Sequence, residues 1–271
     1  MTDRYAVIGN PIAHSKSPEI HAAFARQTGQ DMSYERILGP LDGFPGTVDA
    51  FRAAGGRGMN VTLPFKLQAF AYSQRRTPRA EAAGAVNTLR FDDGSILGDN
   101  TDGAGLANDL TRNLGVGLAG ARILLVGAGG AAQGVILPLL EHRPACLVIA
   151  NRTPEKAVSI SSMFRDCGPV SACGLAELRG QRFGLVVNAT SAAIGGAAPD
   201  LCPDVFASGA FAYEMMYGKG ETPFLSLARD AGASGWADGL GMLVEQAAES
   251  FLLWRGVRPD TRPVLAMLRG T

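Results

Sequence analysis

Short apolar runs alternate with longer segments of helical periodicity along most of the chain. The clearest runs are Arg122–Val126, Leu147–Ala150 and Leu185–Val187, followed by a further predicted strand over 210–215. The segments 131–140 and 155–164 between them have the spacing of helices. Apolar strands that alternate with helices are typical of a parallel sheet with crossover connections, so we predict an α/β fold.

The first half repeats this alternation with less regular strands. The predicted strands are Tyr5–Ile8, Ser33–Leu38, Gly58–Thr62 and Ala85–Phe91, and the predicted helices are Ser17–Gln27, Val48–Ala54 and Lys66–Ser73. A further helix over 102–114 precedes the glycine-rich stretch 115–120. Near the carboxyl end, Leu240, Val244, Ala247, Phe251 and Trp254 share one helical face. We therefore predict one domain from 1–101 with 239–271, and a second from 102–238.

Composition narrows the class of protein. The 271 residues include 25 Lys and Arg against 25 Asp and Glu, with 46% hydrophobic residues, so the chain can form a sizeable core but has no basic excess for nucleic acid. It has no apolar stretch near the ~20 residues of a membrane span and no apolar signal segment at its start. The four cysteines form no CxxC pair. We expect a cytoplasmic protein with reduced cysteines and no metal site.

A glycine motif follows the most apolar strand. Gly127, Gly129 and Ala132 match GxGxxG/A between Ile123–Val126 and the start of a predicted helix. The first glycine permits a tight turn, the second lets backbone approach a pyrophosphate, and the small third residue keeps helix and strand close. The context favours a dinucleotide at the helix N-terminus over the alternative of a glycine-rich turn without a ligand.

The next strand favours NADP over NAD. An NAD site commonly has a carboxylate about 20 residues after the motif. Here the strand ends in Asn151, Arg152 and Thr153, with Lys156 shortly after. Two cations and a hydroxyl suit a 2′-phosphate, and the alternative is that Arg152 is a solvated loop cation.

Polar residues also mark strand ends in the first half. Ser15 and Ser17 precede a helix, with Ser17 a predicted N-cap and Pro18 at the first helical position, and such hydroxyls can bind a carboxylate. Asn60 and Thr62 lie two residues apart and so share one face of a strand, which suits vicinal hydroxyls. Lys66 and Asp102 are the acid/base candidates among these residues. In each case the alternative is a capping or solvated residue without a ligand.

Several of these segments together resemble the shikimate dehydrogenase family. They are Asn10–Pro18, Asn60–Lys66, Gly84–Thr88, Asn100–Gly103, the Gly127 loop, Asn151–Thr153, Asn188–Ser191 and Gly239–Gln246. The resemblance spans nearly the whole chain in order. It implies an N-terminal α/β substrate domain and a Rossmann-type NADP-binding domain with a parallel sheet.

The resemblance implies an enzyme that interconverts 3-dehydroshikimate and shikimate with NADP in aromatic amino-acid biosynthesis, as a monomer or homodimer. Lys66 and Asp102 would be catalytic, and Asp102 would also contact a ring hydroxyl. The residues that would contact substrate are Ser15, Ser17, Asn60, Thr62, Asn87, Tyr217 and Gln246. The residues that would contact the cofactor are Gly127, Ala128, Gly129, Gly130, Ala131, Ala132, Asn151, Arg152, Thr153, Lys156, Thr190, Ser191, Met215 and Gly239.

One departure and two alternatives accompany this interpretation. Glu214 stands where the family commonly has Asp, which leaves a strand-end contact open. An NAD-using quinate/shikimate dehydrogenase would be expected to carry an acidic residue near Asn151. A non-catalytic NADP-sensing paralogue should have lost Lys66 or Asp102, and both residues are present.

Overall fold

The chain divides into two compact units. A computed structural model describes residues 2–92, 94–218 and 220–270. The first unit runs to Gly105 and resumes at Leu243, and the second unit is Leu106–Met242. Each unit has its own sheet and its own apolar core. The predicted α/β fold class is confirmed.

The helices and strands follow in chain order. The strands are β1 (Asp3–Gly9), β2 (Met32–Leu38), β3 (Gly56–Val61), β4 (Arg75–Arg76), β5 (Thr88–Asp92), β6 (Ser95–Asp99), β7 (Arg122–Val126), β8 (Cys146–Asn151), β9 (Val170–Gly174), β10 (Phe183–Asn188), β11 (Phe206–Glu214) and β12 (Gly235–Ala237). The helices are α1 (Ser17–Thr28), α2 (Phe44–Ala53), α3 (Lys66–Tyr72), α4 (Pro78–Ala83), α5 (Asp102–Asn108), α6 (Gly130–Glu141), α7 (Pro154–Met163), α8 (Pro223–Asp230), α9 (Leu240–Arg255) and α10 (Arg262–Arg269). Across the described residues, none of the helices has the length and apolar character that a bilayer crossing requires.

The sheet of the first unit is mixed, with strand order β2-β1-β3-β5-β6-β4. β1 is parallel to β2 and β3, but β5 is antiparallel to both β3 and β6. The alternation of strands and helices predicted the α/β class of this half but not its antiparallel strand. The reason is the short connection between β5 and β6, in which Gly94 has a φ of 81°, because so short a connection can join only antiparallel strands.

The antiparallel strand has a direct consequence for the site. Thr88 at the start of β5 pairs with Asn60 near the end of β3 and with Asp99 at the end of β6. Residues just before β5 therefore lie at the same sheet edge as residues just after β3 and β6. This arrangement brings Asn87 close to Asp102.

The tail helix α9 packs within the first unit. Phe251 is fully buried, and the Trp254 ring stacks on Tyr5 with centroids 4.7 Å apart. The Trp254 indole also donates to the Leu89 carbonyl at 2.9 Å. A Cβ atom at Gly58 would lie 2.5 Å from Trp254 Nε1, so this close approach requires a glycine in β3.

The sheet of the second unit is parallel throughout, with strand order β12-β11-β10-β7-β8-β9. The chain winds outward from β7 in one direction through β8 and β9, and from β10 in the other through β11 and β12. The order therefore reverses between β7 and β10, the position where open α/β sheets bind ligands at their carboxyl edge. The residues that follow these two strands begin at Gly127 and Ala189.

The predicted helix over 102–114 is α-helical only to its middle. α5 ends at Asn108, and a π-helical turn, Asp109–Asn113, continues it. Asp109 in this turn is buried and accepts hydrogen bonds from the Tyr213 hydroxyl at 2.7 Å and from Asn113 at 2.9 Å. A contact 104 residues away is invisible to helical periodicity, which is why the sequence did not predict the change of helix type.

An ion-pair network fixes α9 in the first unit. Glu249 pairs with Arg258 and, at 3.1 Å, with Arg79, while Arg258 also pairs with the buried Glu245 at 2.7 Å. Burial would raise the pKa of Glu249, but the guanidinium groups of Arg258 and Arg79 outweigh it and hold that pKa below its ordinary value of 4.5. The network therefore stabilises the ionised carboxylate.

We expect Glu249→Gln to lower the free energy of unfolding at pH 7 by about 1 to 3 kcal/mol, because two charge-assisted hydrogen bonds weaken. A lowered folded-state pKa contributes stability above the unfolded-state pKa, and that contribution disappears as pH falls through the folded-state value. The difference from wild type should thus shrink below pH 4.5. Urea unfolding between pH 7 and pH 3.5 measures this difference in the free energy of unfolding.

Glu35→Gln, at an exposed pair with Arg4, is the control and should change stability by less than about 0.5 kcal/mol. A difference that stays constant across this pH range would contradict the prediction.

Candidate active site

Lys66 and Asp102 form an ion pair at the carboxyl edge of the first sheet. Lys66 begins α3 and Asp102 begins α5, and Lys66 Nζ lies 2.6 Å from Asp102 Oδ2. Their side chains are 29% and 21% exposed, so the pair is partly shielded from solvent but still accessible to a ligand. The other carboxylate oxygen, Oδ1, accepts from Asn87 Nδ2 at 2.8 Å. Each oxygen of Asp102 thus has its own donor, and the carboxylate is held in one orientation.

Asn87 is the buried residue that organises this pair. Its Nδ2 donates to Asp102 and to Thr101 Oγ1, and its Oδ1 accepts from the Thr101 backbone N–H at 2.9 Å and the Thr88 hydroxyl at 2.9 Å. The NH₂ end of the amide thus faces acceptors, and its oxygen faces donors. The amide orientation is therefore fixed, and it fixes the acid beside it.

Asn60 lies one layer deeper in the same network. Its Nδ2 donates to Thr88 Oγ1 at 3.0 Å and Ser250 Oγ at 2.9 Å, and its Oδ1 accepts from the Tyr34 hydroxyl at 2.7 Å. The side chain is buried with its hydrogen-bonding capacity directed mainly to protein partners. Thr62, just past the end of β3, is half-buried and lies closer to solvent.

Gln246 extends the network from α9. Its Oε1 lies 3.4 Å from the Thr101 hydroxyl and 3.5 Å from Asn87 Nδ2, and its Nε2 donates to the Leu243 carbonyl at 2.8 Å. The side chain is half-buried. The structure therefore brings Lys66, Asp102, Asn87 and Gln246 into one hydrogen-bonded group.

The serine pair at the start of α1 has its hydroxyls together. Ser15 Oγ and Ser17 Oγ are 3.2 Å apart, and the Ser17 backbone N–H donates to Ser15 Oγ at 3.3 Å. The prediction that Ser17 is the N-cap was wrong: Lys16 has that position, Ser17 is the first helical residue, and no side chain caps the helix. The reason is that Ser15, two residues earlier, bonds the Ser17 N–H in place of a cap. Arg36 donates to the Ser15 carbonyl and holds this loop.

The glycine loop of the second unit has the geometry that its motif requires. Gly127, directly after β7, has a φ of 115°, and a Cβ there would lie 3.2 Å from Ala189 backbone atoms. A Cβ at Gly129 or Gly130 would have no neighbour within 4 Å, so the backbone at the start of α6 is open to approach. Ala128 is half-buried, Ala131 is exposed, and Ala132 is buried against the sheet. This cradle fits a pyrophosphate.

The turn after β8 presents two cations. Asn151 Nδ2 donates to the Thr153 carbonyl at 2.9 Å and shapes the turn, while Arg152, Thr153 and Lys156 are exposed. Within the described ranges, the Arg152 and Lys156 side chains have no hydrogen bond or ion pair. Both are available to an anion near the start of α7, where the helix dipole adds further positive potential.

The remaining predicted cofactor residues lie after β10 and β11. The Thr190 backbone N–H and hydroxyl donate to Asn188 Oδ1 at 3.1 and 2.8 Å, and Ser191 follows. The Met215 N–H donates to the Asn188 carbonyl at 3.0 Å. A Cβ at Gly239 would lie 2.2 Å from the Met215 carbonyl oxygen, so these two residues are in close contact. Tyr217, two residues after Met215, is exposed.

Sequence reasoning assigned no site role to several residues that support the site. They are Tyr34, Thr101, Asn188, Arg36 and Ser250. Asn188 had a detectable signal, since it is a polar residue that ends an apolar strand. Ser250 had a weaker one, because it lies one helical turn after Gln246 on the same face of the helix.

Family comparisons cover most of the chain. Residues 7–89 match the family described as the shikimate dehydrogenase substrate binding domain. Residues 109–194 match the shikimate / quinate 5-dehydrogenase family, and residues 239–269 match the shikimate 5'-dehydrogenase C-terminal domain.

Similar proteins agree with the family match. A shikimate dehydrogenase (NADP(+)) from Nitrosospira multiformis is 62% identical over 271 residues, covering 100% of this chain and 98% of the relative. The crystal structure of an Ael1 enzyme from Pseudomonas putida has a TM-score of 0.95 at 52% identity and covers 98% of both chains. A shikimate 5-dehydrogenase from Thermus thermophilus, in complex with NADP(H) and shikimate, has a TM-score of 0.88 at 34% identity and covers 99% of both.

Alanine substitutions at two glycines of the loop should show that backbone strain, and not the added methyl group alone, lowers stability. Gly127→Ala should lower the free energy of unfolding by about 1 to 3 kcal/mol, because alanine is strained at a φ of 115° and its Cβ meets Ala189. Gly129→Ala is the control, with a φ of −102° and nothing near its Cβ, and should change stability by less than about 0.5 kcal/mol. Urea unfolding followed by tryptophan fluorescence checks both. Equal effects at the two positions would contradict the assignment of strain to Gly127.

Proposed function

Because this chain belongs to the shikimate dehydrogenase family, we propose that it catalyses the NADPH-dependent, reversible reduction of 3-dehydroshikimate to shikimate, a step of aromatic amino-acid biosynthesis. The observation that carries the proposal is the Lys66–Asp102 pair, 2.6 Å apart and oriented by Asn87. We assign substrate binding to residues 1–101 with 239–271 and NADP binding to 102–238, except that Asp102 is assigned to the substrate and Gly239 to the cofactor. We also place the enzyme in the cytoplasm as a monomer or homodimer.

Proton transfer is the task of the ion pair. The ammonium of Lys66 can stabilise an alkoxide that forms at C3 of the substrate and can give it a proton from Nζ. Asp102 keeps that ammonium in place through Oδ2, and it can accept a hydrogen bond from a ring hydroxyl. NADPH, when bound, supplies the hydride. With the proton from Lys66 and the hydride from NADPH, the reaction requires no metal ion.

Substrate recognition falls to the polar groups around the pair. The adjacent hydroxyls of Ser15 and Ser17, with the Ser17 N–H already engaged, suit the substrate carboxylate. The ring hydroxyls are assigned to Asn60, Thr62, Asn87, Asp102 and Gln246, and Tyr217 is assigned to the substrate as well. Asn60 contributes mainly by supporting Asn87 through Thr88, since most of its hydrogen bonds are to protein groups.

The second unit offers matching groups for NADP. The backbone from Gly127 to Ala132 is assigned to the pyrophosphate, and Asn151, Arg152, Thr153 and Lys156 to the adenosine 2′-phosphate. Thr190, Ser191, Met215 and Gly239 are assigned to the rest of the cofactor. The fit rests on the open backbone at Gly129 and on the two cations that lack a protein partner among the described residues. An NAD-dependent quinate/shikimate dehydrogenase is less well supported, because Asn151 stands where a carboxylate would be expected.

Cofactor preference tests the role of Arg152. We expect Arg152→Gln to lower kcat/KM with NADPH by about 10- to 100-fold, because a charge-assisted hydrogen bond to the 2′-phosphate is lost, and to leave kcat/KM with NADH nearly unchanged. Arg165→Gln, at another exposed arginine of the same unit, is the control and should match wild type. Steady-state kinetics with both cofactors decides the matter. Equal or better kcat/KM of the wild type with NADH would refute NADP preference.

Removal of Lys66 tests the catalytic assignment. Lys66→Ala should lower kcat by about two orders of magnitude or more, the usual range for a general acid, while NADPH binding stays intact. Gln246→Ala is the contrasting variant, and it should chiefly raise the KM for shikimate because a binding contact is lost. Shikimate-dependent NADP reduction gives both constants. A folded Lys66→Ala enzyme with near-wild-type kcat would mean that Lys66 is only a solvated helix-start cation.

A further inference from the structure

Glu214 is a buried acid that has no role in the proposed mechanism. It ends β11 and is fully buried in the second unit. Its Oε2 accepts from Asn188 Nδ2 at 2.7 Å, and its Oε1 accepts from the Met216 backbone N–H at 3.1 Å. Burying a carboxylate is costly unless its hydrogen bonds are well made. A buried acid at this position therefore calls for a structural or functional explanation.

The first of these bonds leads to the loop after β10. Asn188 is also fully buried, and its Oδ1 accepts from both the backbone N–H and the hydroxyl of Thr190. With its oxygen committed to two donors, Asn188 can present only its NH₂ group to Glu214. The amide thus transmits the position of Glu214 to Thr190.

The second bond leads to the turn after β11. The Met216 N–H is held by Glu214, and the Met216 carbonyl in turn accepts from the Gly239 N–H at 3.1 Å. The preceding Met215 N–H donates to the Asn188 carbonyl at 3.0 Å. One carboxylate therefore joins two chain segments, 188–191 and 215–216, through its bonds to Asn188 and to the Met216 N–H.

We propose that Glu214 is a positioning residue that fixes these two segments relative to each other and thereby places the nicotinamide half of the cofactor. The inference rests on the proposed function, which assigns Thr190, Ser191, Met215 and Gly239 to the part of the cofactor beyond its pyrophosphate and adenosine 2′-phosphate. Glu214 itself, being fully buried behind Asn188 and Met216, acts through them. The adenosine half is assigned to the turn after β8, which Glu214 does not contact.

The hydrogen-bond directions explain why an acceptor is required at this position. The groups that face the carboxylate, which are Asn188 Nδ2, the Met216 N–H and the Thr222 hydroxyl, can all donate to it. A glutamine of the same shape would point its own NH₂ group at one of them, and two facing donors break one bond. Aspartate keeps the acceptor character but is shorter by one methylene. Glu214→Gln should thus be more harmful than Glu214→Asp.

The test compares whole-cofactor and half-cofactor binding in the full-length protein. Glu214→Gln should weaken NADPH binding about tenfold and lower kcat, Glu214→Asp should weaken it about threefold, and both should bind 2′,5′-ADP as wild type does. Fluorescence titration measures both ligands without turnover. Asp109→Asn is the control, because Asp109 is another buried acid of this unit and accepts from Tyr213, and it should keep wild-type NADPH affinity.

Two results would overturn the positioning role. One is wild-type affinity for NADPH and wild-type kcat in both Glu214 variants. The other is an equal loss of affinity for NADPH and for 2′,5′-ADP, which would indicate general damage to the second unit. If Glu214→Gln does not fold, Glu214→Asp decides by the same comparison. The proposed function fails separately, by an inactive wild type with shikimate and NADP.

Discussion

The geometry of the first unit's site depends on the hydrogen bonds of the buried Asn87 side-chain amide. Its Nδ2 donates to Asp102 and to the Thr101 hydroxyl, and its Oδ1 accepts from the Thr101 N–H and the Thr88 hydroxyl. In a buried setting an unmade hydrogen bond is expensive, so this arrangement has few alternatives of similar energy. The mixed sheet makes it possible, since only an antiparallel β5 brings Asn87 to the edge where β3 and β6 end.

The second unit uses the same arrangement with a different acid. Asn188 donates to Glu214 at 2.7 Å and accepts from the Thr190 N–H at 3.1 Å, just as Asn87 donates to Asp102 at 2.8 Å and accepts from the Thr101 N–H at 2.9 Å. In both cases a buried asparagine at a strand terminus connects an acid to the backbone of a threonine. The difference lies in exposure: Asp102 is partly open, whereas Glu214 is enclosed. One acid can therefore reach a ligand directly, and the other can act only through its neighbours.

Local patterns predicted much of the second unit and less of the first. The strand at Arg122–Val126 was predicted with the bounds it has, because a buried parallel strand is apolar on both faces and a glycine ends it. The mixed sheet, the position of Ser17 and the π-helical turn were not predicted, since each depends on partners that periodicity does not contain. Asn60 illustrates the limit: its bond to Ser250 joins residues 190 positions apart. Resemblance supplied candidate roles at such positions, but the bonds around Glu214 became visible only in three dimensions.

Two acids three residues apart in the first unit differ in their exposure and in the cation that each pairs with. Asp99 is buried and receives two donors from the guanidinium of Arg79, with further bonds from Thr77 and the Asn100 N–H. Asp102 is 21% exposed and pairs with a lysine. A guanidinium holds a carboxylate rigidly but does not release its proton, whereas an ammonium is a compact group that can donate one. Exchanging the two cations would place the proton donor in the core and the permanent charge at the surface. The observed distribution is the one in which the reachable pair is also the pair able to transfer a proton.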